Sequence, residues 1–163
     1  MVGTLIAAEH PELVRTLTVT GSGFSSAGYV PGAMEALIAL TPDDEDMAMF
    51  VAMYTQASPD GPAHFPEVWE KIRAMWAEPF DWKADVQRIV APTLVIIGDD
   101  DYVTVAHAEE FSRTVQHGQL AVVPGASHLV PMERPDIFNR LVLEFTANPV
   151  AETLMPLRRQ AGG

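Results

Sequence analysis

The sequence predicts an α/β fold with three parallel strands, flanking helices and a helical insertion. Three observations lead there. Residues 13–20 (LVRTLTVT), 93–97 (TLVII) and 119–123 (QLAVV) are short, β-branched, apolar runs, each closed by glycine or proline-glycine. Patterns with helical spacing come after the second and third runs. Strands that alternate with helices in this way form parallel sheets with right-handed crossovers.

Residues 1–9 (MVGTLIAAE) are small and apolar, and His10-Pro11 breaks them. No Ser, Thr, Asp or Asn stands ahead of them to cap a helix, so the chain is expected to begin inside one. The first strand is expected over residues 13–20, ending at Gly21-Ser22-Gly23. Residues 24–79 differ in composition. They hold Pro31, Pro42, Pro59, Pro62, Pro66 and Pro79 between short helical patterns. Helices are expected over 33–40, over 42–56 and over 65–77. In the second, Thr41 is the expected N-cap and Asp43, Asp44 and Glu45 suit the positive end of the helix dipole. Met47, Phe50, Val51 and Tyr54 would make its buried stripe.

Residues 82–89 form a short amphipathic piece. The run 93–97 reads as a strand buried on both faces, and 119–123 as a further buried strand. Helices are expected over 105–115 (Ala108, Phe111 and Val115 on one face) and over 136–146 (Ile137, Leu141, Val142 and Phe145). The organisation expected is therefore a core of residues 1–23 and 80–148, a helical cap insertion at 24–79, and a flexible tail at 149–163.

Composition narrows the function. The chain has 163 residues, 48% of them hydrophobic, enough for a globular core. Ten basic against 22 acidic side chains give a net charge of −12, which argues against nucleic acid and anionic membrane surfaces as partners. The absence of cysteine removes disulfides, Cys-ligated zinc and a thiol nucleophile. No secretory signal or membrane span is visible, so a cytoplasmic location is expected.

Chemistry is expected at the carboxyl ends of the strands, where open parallel sheets build their sites. Gly98-Asp99-Asp100-Asp101 comes directly after the second strand, and Pro124-Gly125-Ala126-Ser127-His128 directly after the third. A carboxylate and an imidazole would meet there. In nucleophilic hydrolysis the histidine is the general base, and the aspartate fixes its tautomer and stabilises the imidazolium. Taken alone, Asp101 is equally a loop carboxylate or a cap for the helix near Val105. The three acids also suggest a divalent cation, but calcium takes more ligands at alternating spacing, and no metal is expected. His10, His64, His107 and His117 read as surface or packing residues.

The stretch APTLVIIGDDDYVT, with QLAVVPGASHLVPMERPDIFNRLVLEF after it, resembles the C-terminal half of an α/β-hydrolase. AAEHPELVRTLTVTGSGF resembles the segment after the nucleophile elbow in that superfamily, and 24–79 sits where the family places its cap. The resemblance covers about residues 1–147 and implies a partial α/β-hydrolase fold. It places the family's triad acid at Asp101 and its triad base at His128. The family's nucleophile lies on G-x-S-x-G, which does not occur here. By the resemblance it would fall a few residues before Met1, so the chain is expected to be a C-terminal portion of such a protein, inactive alone. Gly23-Phe24-Ser25-Ser26-Ala27-Gly28 is one residue too long for an elbow. Ser22, Ser25 and Ser26 therefore read as loop residues rather than nucleophiles.

The function implied is hydrolysis of a small apolar ester or lactone, without cofactor. The methionines and aromatics of the insertion either line an acyl pocket or pack on one another. The alternative function is a non-catalytic module that self-associates or binds a small ligand. A homo-oligomer is expected through the sheet edge between Leu13 and Thr20, since an unpaired apolar edge is a template for association.

Overall fold

The computed structural model describes residues 2–150 and 152–155. In chain order its elements are α1 (Val2–Glu9), β1 (Leu17–Thr20), α2 (Ala33–Ala39), α3 (Ala48–Ala57), α4 (Phe65–Ala77), α5 (Lys83–Gln87), β2 (Thr93–Gly98), α6 (Val105–Thr114), β3 (Gly118–Val123), α7 (Val130–Glu133) and α8 (Pro135–Ala147). They form two compact units, one from residues 1–29 and 80–163, the other from Val30–Pro79. Residues 24–29 group with the first unit, where buried Phe24 packs in the core.

The first unit is built on a parallel sheet of order β1-β2-β3. Leu17 faces Thr93 and Thr93 faces Gly118, so the carboxyl ends of all three strands lie on one side. β2 is central, and every one of its residues is buried. Val95 and Ile97 point to one face with Leu17 and Val19, against Ala7 and Ala8 of α1, Val86 of α5, and Ala108 and Phe111 of α6. Leu94 and Ile96 point to the other, against Val123, Val130 of α7 and Phe145 of α8. Each buried Val, Leu, Ile or Phe side chain among these contributes about 1.5–3 kcal/mol. Two-sided covering is what a continuous TLVII run requires.

Two strand expectations change. β1 begins at Leu17, not at residue 13, because Pro11–Leu13 is a 3₁₀ turn that leaves Leu13 exposed. The strand exists only where β2 is present to pair with it. β3 is not fully buried. It lies at the edge of the sheet among the described residues, and Leu120 and Val122 are 37% and 41% exposed. An edge strand packs fully only over the part that a helix covers, and Val123 is the residue it buries.

The second unit carries its own core of Met47, Phe65 and Trp69, with Val51, Tyr54, Ile72 and Trp76 packed around them. Trp69 Nε1 donates to Leu40 O (2.8 Å), and the ring of Trp76 meets that of Trp69 edge-on at 5.8 Å. The aromatics therefore pack on one another. The single helix expected over 42–56 is divided. Asp44 Oδ2 accepts from both the N–H and the hydroxyl of Thr41 (2.6 and 2.8 Å), which closes a turn where a helix start was expected. A 3₁₀ turn over Glu45–Met47 then leads into α3. Phe50 leaves the expected stripe and is exposed.

Among the described residues no helix is long and apolar enough to cross a membrane. The expected tail at 149–163 falls largely outside the described residues, although Pro149 O accepts from Gln119 Nε2 (2.9 Å).

Candidate active site

Three loops leave the carboxyl ends of the strands side by side: Gly21-Ser22-Gly23 after β1, Asp99-Asp100-Asp101 after β2, and the loop from Pro124 to His128 after β3. The second and third are joined by the Asp99 side chain and by one backbone bond. Asp99 Oδ1 accepts from Gly125 N (2.7 Å) and Ala126 N (3.2 Å), and Asp100 N donates to Ala126 O (3.1 Å). Gly98 permits this approach: a Cβ there would collide with the carbonyl oxygens of Ala126 and Ser127. On the far side, Glu133 of α7 accepts from Ser127 N (2.6 Å) and Ser127 Oγ (2.9 Å), which fixes the residue before His128.

Within this frame Asp101 and His128 meet. His128 Nδ1 lies 2.9 Å from Asp101 Oδ1. The Asp101 side chain is fully buried, whereas that of His128 is 40% exposed. A carboxylate only accepts, so this bond requires a proton on Nδ1, and in the neutral imidazole Nε2 then keeps its lone pair. Oδ1 also accepts from Val103 N (3.1 Å), which holds the carboxylate at the start of the next turn. Oδ2 is buried and has no hydrogen-bond partner among the described residues. The Tyr102 ring lies beside the imidazole, with centroids 5.3 Å apart. The arrangement can accept a proton at Nε2 and stabilise the resulting imidazolium through Asp101.

The helix-capping role open to Asp101 falls to another residue, since Thr104 Oγ1 caps α6 by accepting from His107 N (3.2 Å). Asp100 is exposed, and Asp99 clamps the loop after β3. Among the described residues no group of three or more His, Asp or Glu is placed to hold a metal ion. Ser25 Oγ accepts from Ala27 N (3.3 Å) within its own turn, and Ser26 Oγ accepts from Phe80 N (2.8 Å), tying that turn to the segment ahead of α5.

His107 is a buried packing residue. Its Nε2 accepts from Phe24 N (3.1 Å), and its ring lies 4.1 Å from that of Phe24. Burial pushes its pKa down, a shift partly opposed by Glu110 and Asp81. Burial likewise raises the pKa of Tyr29, opposed by a bond from the Gly23 backbone and reinforced by the charge of Asp101.

Three contributors to this frame are not identified from sequence: Gly21, Asp99 as a clamp, and Glu133. A glycine at a strand's carboxyl end is the signal that could draw attention to the first. Glu133 has no comparable signal, because its partner depends on the turn that α7 makes.

The chain belongs to the alpha/beta hydrolase family, whose model matches residues 2–141. A serine hydrolase involved in carbazole degradation is 26% identical to it, with a TM-score of 0.65 over 89% of this chain and 58% of that one. NosK from Streptomyces actuosus is 27% identical, with a TM-score of 0.65 over 91% of this chain and 64% of that one. A proline iminopeptidase from Thermoplasma volcanium is 39% identical over 57 residues, 35% of this chain and 19% of the iminopeptidase. The chain thus spans less than two thirds of the length of each of these relatives.

Proposed function

We propose that this chain carries the acid–base part of a serine-type hydrolase for small neutral esters or lactones. His128 is the general base and Asp101 the acid that orients it. The observation that carries the reading is the pairing of a fully buried Asp101 with Nδ1 of a half-exposed His128, which leaves Nε2 to the substrate side. In this scheme Nε2 takes the proton of an attacking hydroxyl, Asp101 stays ionised beside the imidazolium, and the proton passes to the leaving group. The acidic balance of the chain favours a neutral substrate over an anionic one. The exposed Tyr102 ring offers an apolar surface beside the base.

These 163 residues contain no G-x-S-x-G, so hydrolysis by them alone is expected near background. Removing a triad member typically costs several powers of ten. The test combines two measurements on the purified chain. At about pH 8, where an ordinary imidazole is neutral, nitrogen-15 spectra should show His128 protonated on Nδ1, and Asp101→Ala should abolish that preference. An Nε2-protonated His128 in the unsubstituted chain would sink the assignment. In parallel, hydrolysis of p-nitrophenyl acetate should match that of His128→Ala. A His128-dependent excess would instead place a nucleophile inside these residues, with Ser22 the first to replace.

A second reading, a self-associating module without catalysis, is favoured by one feature. β1 has a hydrogen-bonded neighbour on one side only among the described residues. A stable monomer by light scattering at micromolar concentration would remove it.

A further inference from the structure

The end of β1 comes up against the acid–base pair without contributing a side chain. Gly21 comes directly after Thr20, donates its N–H to Ile96 O (3.2 Å) and has φ of +55°. A Cβ placed on it would lie 2.7 Å from His128 Nδ1, 2.8 Å from His128 Cε1 and 3.2 Å from Asp101 Oδ2. The first two distances are closer than real Cβ atoms come, so one partner would have to move. Asp101 cannot move easily. Its side chain is fully buried, and Oδ1 is held by Val103 N as well as by the imidazole. His128 is the partner with solvent beside it, and retreat toward solvent takes Nδ1 away from the carboxylate.

We infer that Gly21 is a positioning residue for the hydrolysis proposed above: its missing side chain lets the imidazole close against the end of β1 and seat Nδ1 on Asp101. The inference rests on the assignment of Asp101 and His128, and it adds a third strand end to a site otherwise built from two. Any side chain at Gly21 acts first on the tautomer and orientation of the base. A glycine needed only for its backbone angle would act on folding alone.

Two other glycines separate these effects. Gly32 (φ +81°, ψ −11°) is left-handed and Gly61 (φ +74°, ψ 174°) is extended at positive φ, and a Cβ on either meets nothing within 4 Å. Gly32→Ala and Gly61→Ala therefore report backbone strain by itself. The experiment compares Gly21→Ala with both controls. Gly21→Ala is also made in the His128→Ala background, where the ring it would strike is gone. The readouts are the Nδ1–H signal of His128 and the melting temperature.

Gly21→Ala should lose the Nδ1–H signal while both controls keep it. Its melting temperature should fall at least about 3 °C further in the unsubstituted chain than in His128→Ala, where its cost should match that of Gly32→Ala. Retention of the signal in Gly21→Ala, or an equal melting loss in the two backgrounds, would overturn the inference. If Gly21→Ala does not fold by itself, recovery of folding in the His128→Ala background supports the inference, and failure there as well overturns it. Failure of the underlying assignment is recognised separately, by an Nε2-protonated His128 before Gly21 is touched.

Discussion

Replacing Asp99 by alanine isolates the clamp between the two site loops. Asp99 Oδ1 holds the N–H groups of Gly125 and Ala126 at 2.7 and 3.2 Å. Hydrogen bonds to a charged group contribute roughly 1.5–3 kcal/mol each, and solvent exposure at this position moves both below that range. Taking about 1 kcal/mol apiece, Asp99→Ala should destabilise the chain by about 2 kcal/mol. For a protein of this size that corresponds to a fall in melting temperature of roughly 4–8 °C. Asp100→Ala is the matched control. Its side chain is exposed, and the bond from Asp100 N to Ala126 O survives the substitution because it belongs to the backbone. Surface changes of this kind stay within about 0.5 kcal/mol. Calorimetry on the two variants decides the matter. If Asp100→Ala costs as much as Asp99→Ala, the clamp does not exist as described and the two loops are held by their backbones alone.

Other outcomes concern the core and His107. Phe111→Ala should cost about 3–5 kcal/mol in denaturant unfolding, because Phe111 is fully buried beside Phe24, and a loss under 1 kcal/mol would contradict that packing. His107 gives stability a pH dependence. Its pKa is lowered in the folded chain by burial, against the pull of Glu110 and Asp81 and with the help of Lys83. The unfolded chain therefore takes up a proton near pH 6.5 that the folded chain resists. This contribution is complete above about pH 6.5 and is lost as the pH falls from there through the depressed folded value. Denaturant unfolding between about pH 7.5 and 5 should show a shallower slope for His107→Gln than for the unsubstituted chain, and equal slopes would refute the assignment.

The sheet and the meeting of Asp101 with His128 are legible in the sequence because each rests on a strong local pattern. TLVII has no polar position beyond its first residue, so only a strand covered on both faces accommodates it. Asp101 and His128 stand just past adjacent strands, where parallel pairing brings loop ends together. The features that do not read through depend on partners distant in sequence or on a local turn. Leu120 and Val122 are as apolar as Ile96, and nothing local says that one strand lies at an edge and the other at the centre. Asp44 has the position of a first-turn acid, yet it turns back to bond Thr41. Gly21 reads as a loop glycine, since its role comes from an imidazole more than a hundred residues further along. Glu133 falls ahead of the helix expected over 136–146, and only the turn before α7 brings it to Ser127.

Asp101 and His128 are rooted in strands of unequal protection. Asp101 leaves the central strand, whose amides are shielded by a neighbour on each side and a helical layer above and below. His128 leaves β3, whose outer residues meet solvent. Opening from the β3 edge would therefore reach His128 first, while the strand before Asp101 keeps its pairing with β1. Of the two side chains, Asp101 is enclosed on every side and His128 is the one with room to move.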